Sequence, residues 1–451
     1  MSIVPERDAD VNIENKNLSG DGYETPEPTE QISPDSLNSS CSSYQPHTSS
    51  DDDETIVNKL KKFDYLVGPG KIEFDLNRDS IRWMVDDLDI SSISELFRNN
   101  SIEKSQRQVL SVHEELALSH IFLIEEENNA GLKEYLNADS WVKINDQIRI
   151  EYPFVKLNDS IYEIWTNISK ITCKQQNHLK LKKEVKTFLR QYTCKDELDE
   201  SIIGVYENLI NQFQTTFINE EKIEDTHVHK YVTPIVDPFF QEGKISIDWA
   251  NRMSSSSTIA KRAFDPCLFG NKPDFVFKTT NQQKFIEVLI GEVKPPKSCK
   301  ISIEADTVTI GKIMKSSLDL SIEYGIEDIS VYGLQFAGFY ILNSQRTKII
   351  PLSDALNFIL GYNGKFYGMD LNYDGVYRMM LLGQFQVPHG PESFGSLINC
   401  FQILVTAQNL VYKSAEIFQK GIMNNLIKKT NKPKKKEMTR KMFHSPMKLI
   451  H

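Results

Sequence analysis

The sequence predicts an α/β fold, a mixed β-sheet flanked by helices, with a mainly helical N-terminal part and disordered ends. Three observations predict it. Short β-branched and aromatic runs crowd the second half of the chain. Helical three- and four-residue spacing of apolar residues fills much of the first half and recurs between the later runs. The two ends are too polar to bury the apolar area that would offset their chain entropy.

Residues 1–55 are rich in Ser, Pro, Asp, Glu and Asn, which predicts a disordered acidic tail. Its Ser/Thr-Pro steps and Ser49-Ser50, ahead of Asp51–Asp53, are candidate phosphate acceptors by composition. Residues 56–219 read as mainly helical. "SISELFRNNSIEKSQRQVLSVHEELALSHIFLIEEE" and "DELDESIIGVYENLINQFQTTFI" carry helical spacing, with Asp196 or Asp199 as a cap for the second. Between them, "WVKINDQIRIEYPFV" is β-branched and reads as a strand or an extended connection.

From Glu220 the texture changes. "EEKIEDTHVHKYVTPIVDPFF" is helix-like up to its prolines, then "KISIDWA" and a serine run (Ser254–Ser257) follow. The runs with strand character are "PDFVFKT", "KFIEVLIGEVK", "ISVYGLQFAGFYIL", "TKIIPL", "KFYGMDL" and "VYRMMLLGQFQVP". A helix, "ADTVTIGKIMKSSLDLSIEYG", separates the second from the third, and a long helix "SFGSLINCFQILVTAQNLVYKSAEIFQKGI" comes after the last. Helix, hairpin, helix and further strands make a mixed-sheet domain over residues 220–422, followed by a basic tail, 423–451.

The composition, 40% hydrophobic and 25% charged, is that of a soluble globular protein. No stretch approaches the roughly 18 uninterrupted apolar residues of a membrane span, and the polar start, Met1 to Asp10, is unlike a secretory signal. The expectation is an intracellular protein with no membrane partner. Six scattered cysteines without a C-x-x-C pair give neither a zinc-finger nor a disulfide signal. His227 and His229 stand two apart, a spacing that points rings away from each other on a helix. Net charge is −10, but it is polarised. Residues 1–55 hold thirteen acids against two bases, and residues 420–451 hold ten bases against Glu437. The middle is therefore acidic, which counts against a broad nucleic-acid-binding surface.

The chemistry gathers at two neighbouring runs. In "KFIEVLIGEVK", two-residue periodicity puts Val288, Ile290, Glu292 and Lys294 on one face and Glu287, Leu289, Gly291 and Val293 on the other. Pro295-Pro296 ends the strand there. "PDFVFKT" begins at Pro273-Asp274, and the polar "TTNQQ" can turn the chain back so that the two strands pair. Hairpin pairing brings Asp274 beside Glu292 and Lys294. Two carboxylates and an ammonium at a sheet edge suit phosphodiester hydrolysis. The hard oxygens hold Mg²⁺, and the lysine orients water and offsets developing charge. Other E-x-K triplets, at Glu14, Glu184 and Glu220, sit in tail or helical text, where a solvated face is the simpler reading. The alternative for Glu292 and Lys294 is an ion pair capping a strand.

With these motifs in place, the span from about Glu220 to Gln386 resembles a PD-(D/E)XK nuclease-like domain, in particular one found in large sets of uncharacterised fungal proteins. The resemblance rests on "GEVKPP" (Gly291–Pro296), on "D-x-V-x-x-G-K-x-M-K-x-S-L-D" (Asp306 to Asp319) and on "YGLQFAGF" (Tyr332–Phe339). It covers a little over a third of the chain. It implies a restriction-endonuclease-like sheet and Mg²⁺- or Mn²⁺-dependent cleavage of nucleic acid, DNA preferred. Asp274, Glu292 and Lys294 would be the catalytic set, with Asp274 and Glu292 as metal ligands. It further implies an upstream helical acid: Glu224 is the first choice, beside Glu221 and Asp225, the alternative being an acid that merely favours a helix N-terminus. Lys312 and Gln335 would approach a phosphate, or else serve as a solvated lysine and a polar residue in the sheet. A catalytically inactive nuclease fold, used as a nucleic-acid or protein binding module, is the second reading. In a third, the helical half recruits a protein partner.

The tail "KKTNKPKKKEMTRK" resembles a bipartite nuclear-localisation signal read by an importin, carried by Lys428, Lys429, Lys434, Lys435, Lys436, Arg440 and Lys441. The plainer alternative is a solvated, lysine-rich end that meets phosphates nonspecifically. The expected address is nuclear, otherwise cytoplasmic.

Overall fold

The computed structural model describes residues 81–440, with breaks at 106, 127–129, 175–176, 213–226, 242, 244, 250–251, 296–297, 341–359, 389, 428–435 and 437. A small hairpin, β1 (Met84–Val85) and β2 (Leu88–Asp89), leads into α1 (Ile90–Ser105), α2 (Val112–Leu118) and β3 (Ile121–Ile124). Helices α3 (Ala138–Glu151), α4 (Asp159–Lys174), α5 (His178–Gln191) and α6 (Glu197–Gln212) follow. A π-helical turn at Val228–Val232 runs into the short α7 (Thr233–Val236). The remainder is β4 (Ser246–Trp249), α8 (Ser255–Phe264), β5 (Phe275–Asn281), β6 (Lys284–Lys294), α9 (Lys300–Glu323), β7 (Val331–Tyr340), β8 (Leu360–Tyr373), β9 (Val376–Val387) and α10 (Leu397–Ile427).

Seven strands form one mixed sheet in the order β3-β9-β8-β7-β6-β5-β4. Strands β4, β5 and β6 pair antiparallel as a meander. α9 then carries the chain over to β7, which lies parallel to β6, as parallel neighbours require a crossover. β7, β8 and β9 continue antiparallel, and β3 closes the far edge parallel to β9. The two long helices cover opposite faces. A Cβ on Gly333 would meet Ile310 and Met314 of α9, while one on Gly383 would meet Ile403 of α10. Phe336 and Phe385 meet edge to face on the α10 side. By length and composition α10 could cross a membrane, yet 61% of its most apolar window is buried inside the protein. It is the core helix of this sheet.

Two sequence readings change. Ile121–Ile124, read within a helical stretch, is a fully buried strand. A four-residue apolar run fits either period, and pairing with β9 decides between them. His120, at φ 61°, turns the chain out of α2 into it. Trp141–Glu151, read as strand-like, is the body of α3. Asn137 caps the helix by accepting from Ser140 N, and Trp141, Ile144 and Ile148 form its buried stripe. The run "TKIIPL" (347–352) and the tail 1–55 lie outside the described residues. Ile161 and Ile168 of α4 and Tyr206 of α6 belong to the same hydrophobic cluster as Phe336 and Phe401, so helical region and sheet share a core.

A buried ion network anchors the far edge. Arg378 on β9 donates from Nε to Asp370 at 2.9 Å, and from Nη2 to Asp370 at 2.7 Å and to Glu151 at 2.6 Å. Its guanidinium lies over Trp83 and Tyr373. Burial works against the charge, but Asp370 and Glu151 outweigh it and raise the guanidinium's pKa. Removing one partner strands a buried charge, so Asp370→Ala is expected to cost about 3–5 kcal/mol of stability in a urea titration.

His120 is buried, and neither ring nitrogen has a hydrogen-bond partner. Burial first, and then the charges of Arg98, Lys315 and Arg440, push its pKa well below 6.5. A histidine depressed in the folded state takes up its proton more readily when unfolded. The stability this confers is present above pH ~6.5 and is lost as pH falls. His120→Asn, which tolerates the left-handed backbone, is expected to flatten the fall in melting temperature between pH ~7 and ~5. An unchanged slope would remove His120 from that account.

Candidate functional site

The site forms where β5 starts and β6 ends. The β5–β6 turn places Gln282 and Gln283 at φ 50° and 66°, and Asn281 pairs with Lys284. Positive φ at both central residues gives a two-residue turn whose twist suits a hairpin. The resulting register sets Phe275 opposite Gly291, and Asp274 N extends the ladder to Gly291 O at 3.0 Å. A Cβ on Gly291 would fall inside the Phe275 ring, so only glycine admits that ring beside the site. Asp274 Oδ2 then accepts from Val293 N at 2.6 Å, which fixes the carboxylate between Glu292 and Lys294 in the chain.

One face assignment needs correcting. A register shift at Phe277/Lys278 inserts an irregularity before Leu289, so Glu287 does not keep the opposite face that simple alternation predicts. Its fully buried carboxylate accepts from Ser254 Oγ and Ser255 N, each at 2.6 Å, and from Ser256 Oγ. The serine run is thus the N-terminus of α8, closed by an acid from β6. Ser317 of α9 bonds both the amide and the carbonyl of Glu287. These contacts tie α8 and α9 to the strand that carries Glu292 and Lys294.

Glu292 is 5% exposed and stands opposite Gln335 of β7. Gln335 donates to Ile303 O at 2.7 Å, and its Oε1 accepts from Thr307 at 3.2 Å and from Tyr367 OH at 3.4 Å. The first turns of α9 are therefore clamped over the strand ends. Lys294 Nζ lies 3.4 Å from Asp306 Oδ2, with both side chains partly open to solvent. The structure thus brings Asp274, Glu292, Lys294 and Gln335 to one corner. Lys312 is directed elsewhere, 3.3 Å from Glu115 of α2.

Several groups at this corner were not singled out from the sequence. Asp306 opens the quoted helix motif. Lys365 of β8 stands opposite Gln335, and its Nζ is 3.4 Å from the buried Glu125. Burial, then Glu125, push the Tyr367 phenol well above its usual range. Burial lowers the pKa of His113, with Glu125 and Glu134 opposing and Lys365 assisting. Alternation in "GKFYG" does put Lys365 and Tyr367 on one face, a usable signal. Glu125 carries no such mark, because it directly follows a four-residue apolar run, Ile121–Ile124, that fits either period.

Glu224, Glu221 and Asp225 lie outside the described residues, as do Lys428, Lys429, Lys434, Lys435 and Lys441. Arg440 is docked, pairing with Asp374 at 2.8 Å while its carbonyl accepts from Lys315. His227 is buried and stacked on Tyr231, and His229 is exposed. Among the described residues no three His, Cys, Asp or Glu side chains are grouped to hold a metal ion. The hard-oxygen pair Asp274 and Glu292 does suit Mg²⁺, which commonly takes one or two carboxylates and keeps its other positions for water and phosphate. Comparison of the chain with protein-family models, curated proteins and solved structures gives no match.

Gln335→Leu leaves the Ile303 carbonyl and Tyr367 hydroxyl without this partner in a buried place. The expected loss is about 1–3 kcal/mol, read as a lower urea midpoint at unchanged slope.

Proposed function

We propose that the chain is a metal-dependent phosphodiesterase of the PD-(D/E)XK kind, acting on nucleic acid and preferentially on DNA. The observation that supports this best is the hairpin register, which joins Asp274 to the Val293 amide between Glu292 and Lys294. The order of parts lends further support: an antiparallel hairpin bearing the acids, a crossover helix, and a parallel strand. In this reading Asp274 and Glu292 hold Mg²⁺ or Mn²⁺, with Glu224 as the expected third acid. When bound, the metal lowers the pKa of a water and offsets charge on the phosphate.

The protein's own groups do the positioning. Lys294 donates to the attacking water or a phosphoryl oxygen, and Asp306 keeps its ammonium at the corner. Gln335 holds the start of α9, so that Asp306 stays beside Lys294. The basic tail supplies the nuclear address by binding an importin. A reporter fused to residues 423–451 is expected to enter the nucleus and to remain outside when Lys434, Lys435 and Lys436 become alanine.

A second reading, an inactive nuclease fold that binds nucleic acid or protein, is favoured by the acidic middle of the chain. A plasmid assay with Mg²⁺ or Mn²⁺ separates the two. Cleavage by the wild type, lowered at least about a hundredfold in both Asp274→Ala and Lys294→Ala, is expected for the enzyme. No cleavage with salt-sensitive DNA binding selects the second reading, and equal cutting by all three proteins marks contamination and defeats the first.

A further inference from the structure

Building on the nucleic-acid-cleaving reading, we infer that Lys365 is a second phosphate-binding cation of the same site, held ready by the buried carboxylate of Glu125. Glu292 of β6, Gln335 of β7 and Lys365 of β8 are successive partners across three adjacent strands. Residues paired in this way share a face, and neighbouring strands lie ~4.8 Å apart. Lys365 therefore starts roughly 10 Å from Glu292, two inter-strand spacings away. That is the distance of a flanking phosphate, not of the scissile one.

A continuous polar path fills the interval. Gln335 Oε1 meets Tyr367 OH at 3.4 Å, Tyr367 lies beside Glu125, and Glu125 Oε1 meets Lys365 Nζ at 3.4 Å. The Lys365 side chain is 31% exposed and that of Glu125 only 5%. The acid is thus fixed inside while the lysine side chain keeps access to solvent. At 3.4 Å the pair is also longer than a close charge-assisted hydrogen bond, at about 2.7–2.9 Å. A phosphate oxygen can share the ammonium, which has three donors, without Glu125 leaving. Glu125 moderates the charge, so the site attracts phosphate less strongly than a bare lysine would.

This arrangement predicts opposite signs for the two partners, where a merely structural pair predicts the same sign. The probe is a short fluorescein-labelled DNA duplex, titrated in EDTA over a range of salt concentrations and read by anisotropy, beside cleavage kinetics in Mg²⁺. Lys365→Ala is expected to weaken binding about tenfold and to lower the salt slope by ~1, with KM rising more than kcat falls. Lys365→Arg should restore most of the binding. Glu125→Gln should tighten binding several-fold, with thermal melts confirming that each variant is folded. If the wild type cuts DNA and both substitutions change only the melting temperature, Lys365 is structural and the inference fails alone. A wild type that neither cuts nor binds removes the nuclease reading and this inference together.

Discussion

Strand β6 must carry two glutamates through the interior of a seven-stranded sheet, and much of the surrounding structure answers that demand. A carboxylate out of water is costly unless hydrogen bonds and charges compensate it. Glu287 receives its compensation from the serines and free amides that open α8. Ser317 holds the backbone at the same point from α9. At the strand's end, Asp274 on one neighbour and Gln335 on the other flank Glu292. Two helices and two strands thus meet these acids or their backbone with fixed hydrogen bonds and pairings.

α9 transmits that placement across the sheet. It approaches closely because Gly333 leaves room for Ile310 and Met314, and because Gly311 faces Leu116 and Met379. Its polar residues are spent on fixed contacts along its length. Asp306 meets Lys294, Thr307 meets Gln335, Ser317 meets β6, and the fully buried Lys315 meets Asp319 and lies over the Tyr377 ring. The carbonyl of Arg440 accepts from Lys315 as well, so part of the basic tail is fastened to the back of the helix that forms the site.

Exposure separates the two kinds of charge network in the molecule. Arg378 is wholly buried, doubly paired and set against two stacked aromatic rings, an arrangement that fixes packing and leaves no room for a ligand. Lys294 and Lys365, by contrast, have partly exposed side chains whose partners lie deeper or on a neighbouring element. The first kind is disrupted only by unfolding, while the second keeps its cations within reach of solvent.

Features that depend on local pattern are legible in the amino-acid order. Residues 284–294 read as a strand and are one, and the polar turn before them, the crossover helix and the long final helix lie where spacing puts them. Asp274 beside Glu292 follows from hairpin order alone, since the start of one strand must meet the end of the next. Long-range packing sets the rest. Ile121–Ile124 is a strand because β9 offers it a ladder, and Trp141–Glu151 is a helix because one stripe is buried. Glu287 turned out to face the α8 serines because a register shift overrides alternation, and Asp306, Glu125 and Lys365 joined the corner from three separate elements. Local spacing fixes which side of its own element a residue occupies, but which elements share a corner is set by long-range packing that no short window of sequence encodes.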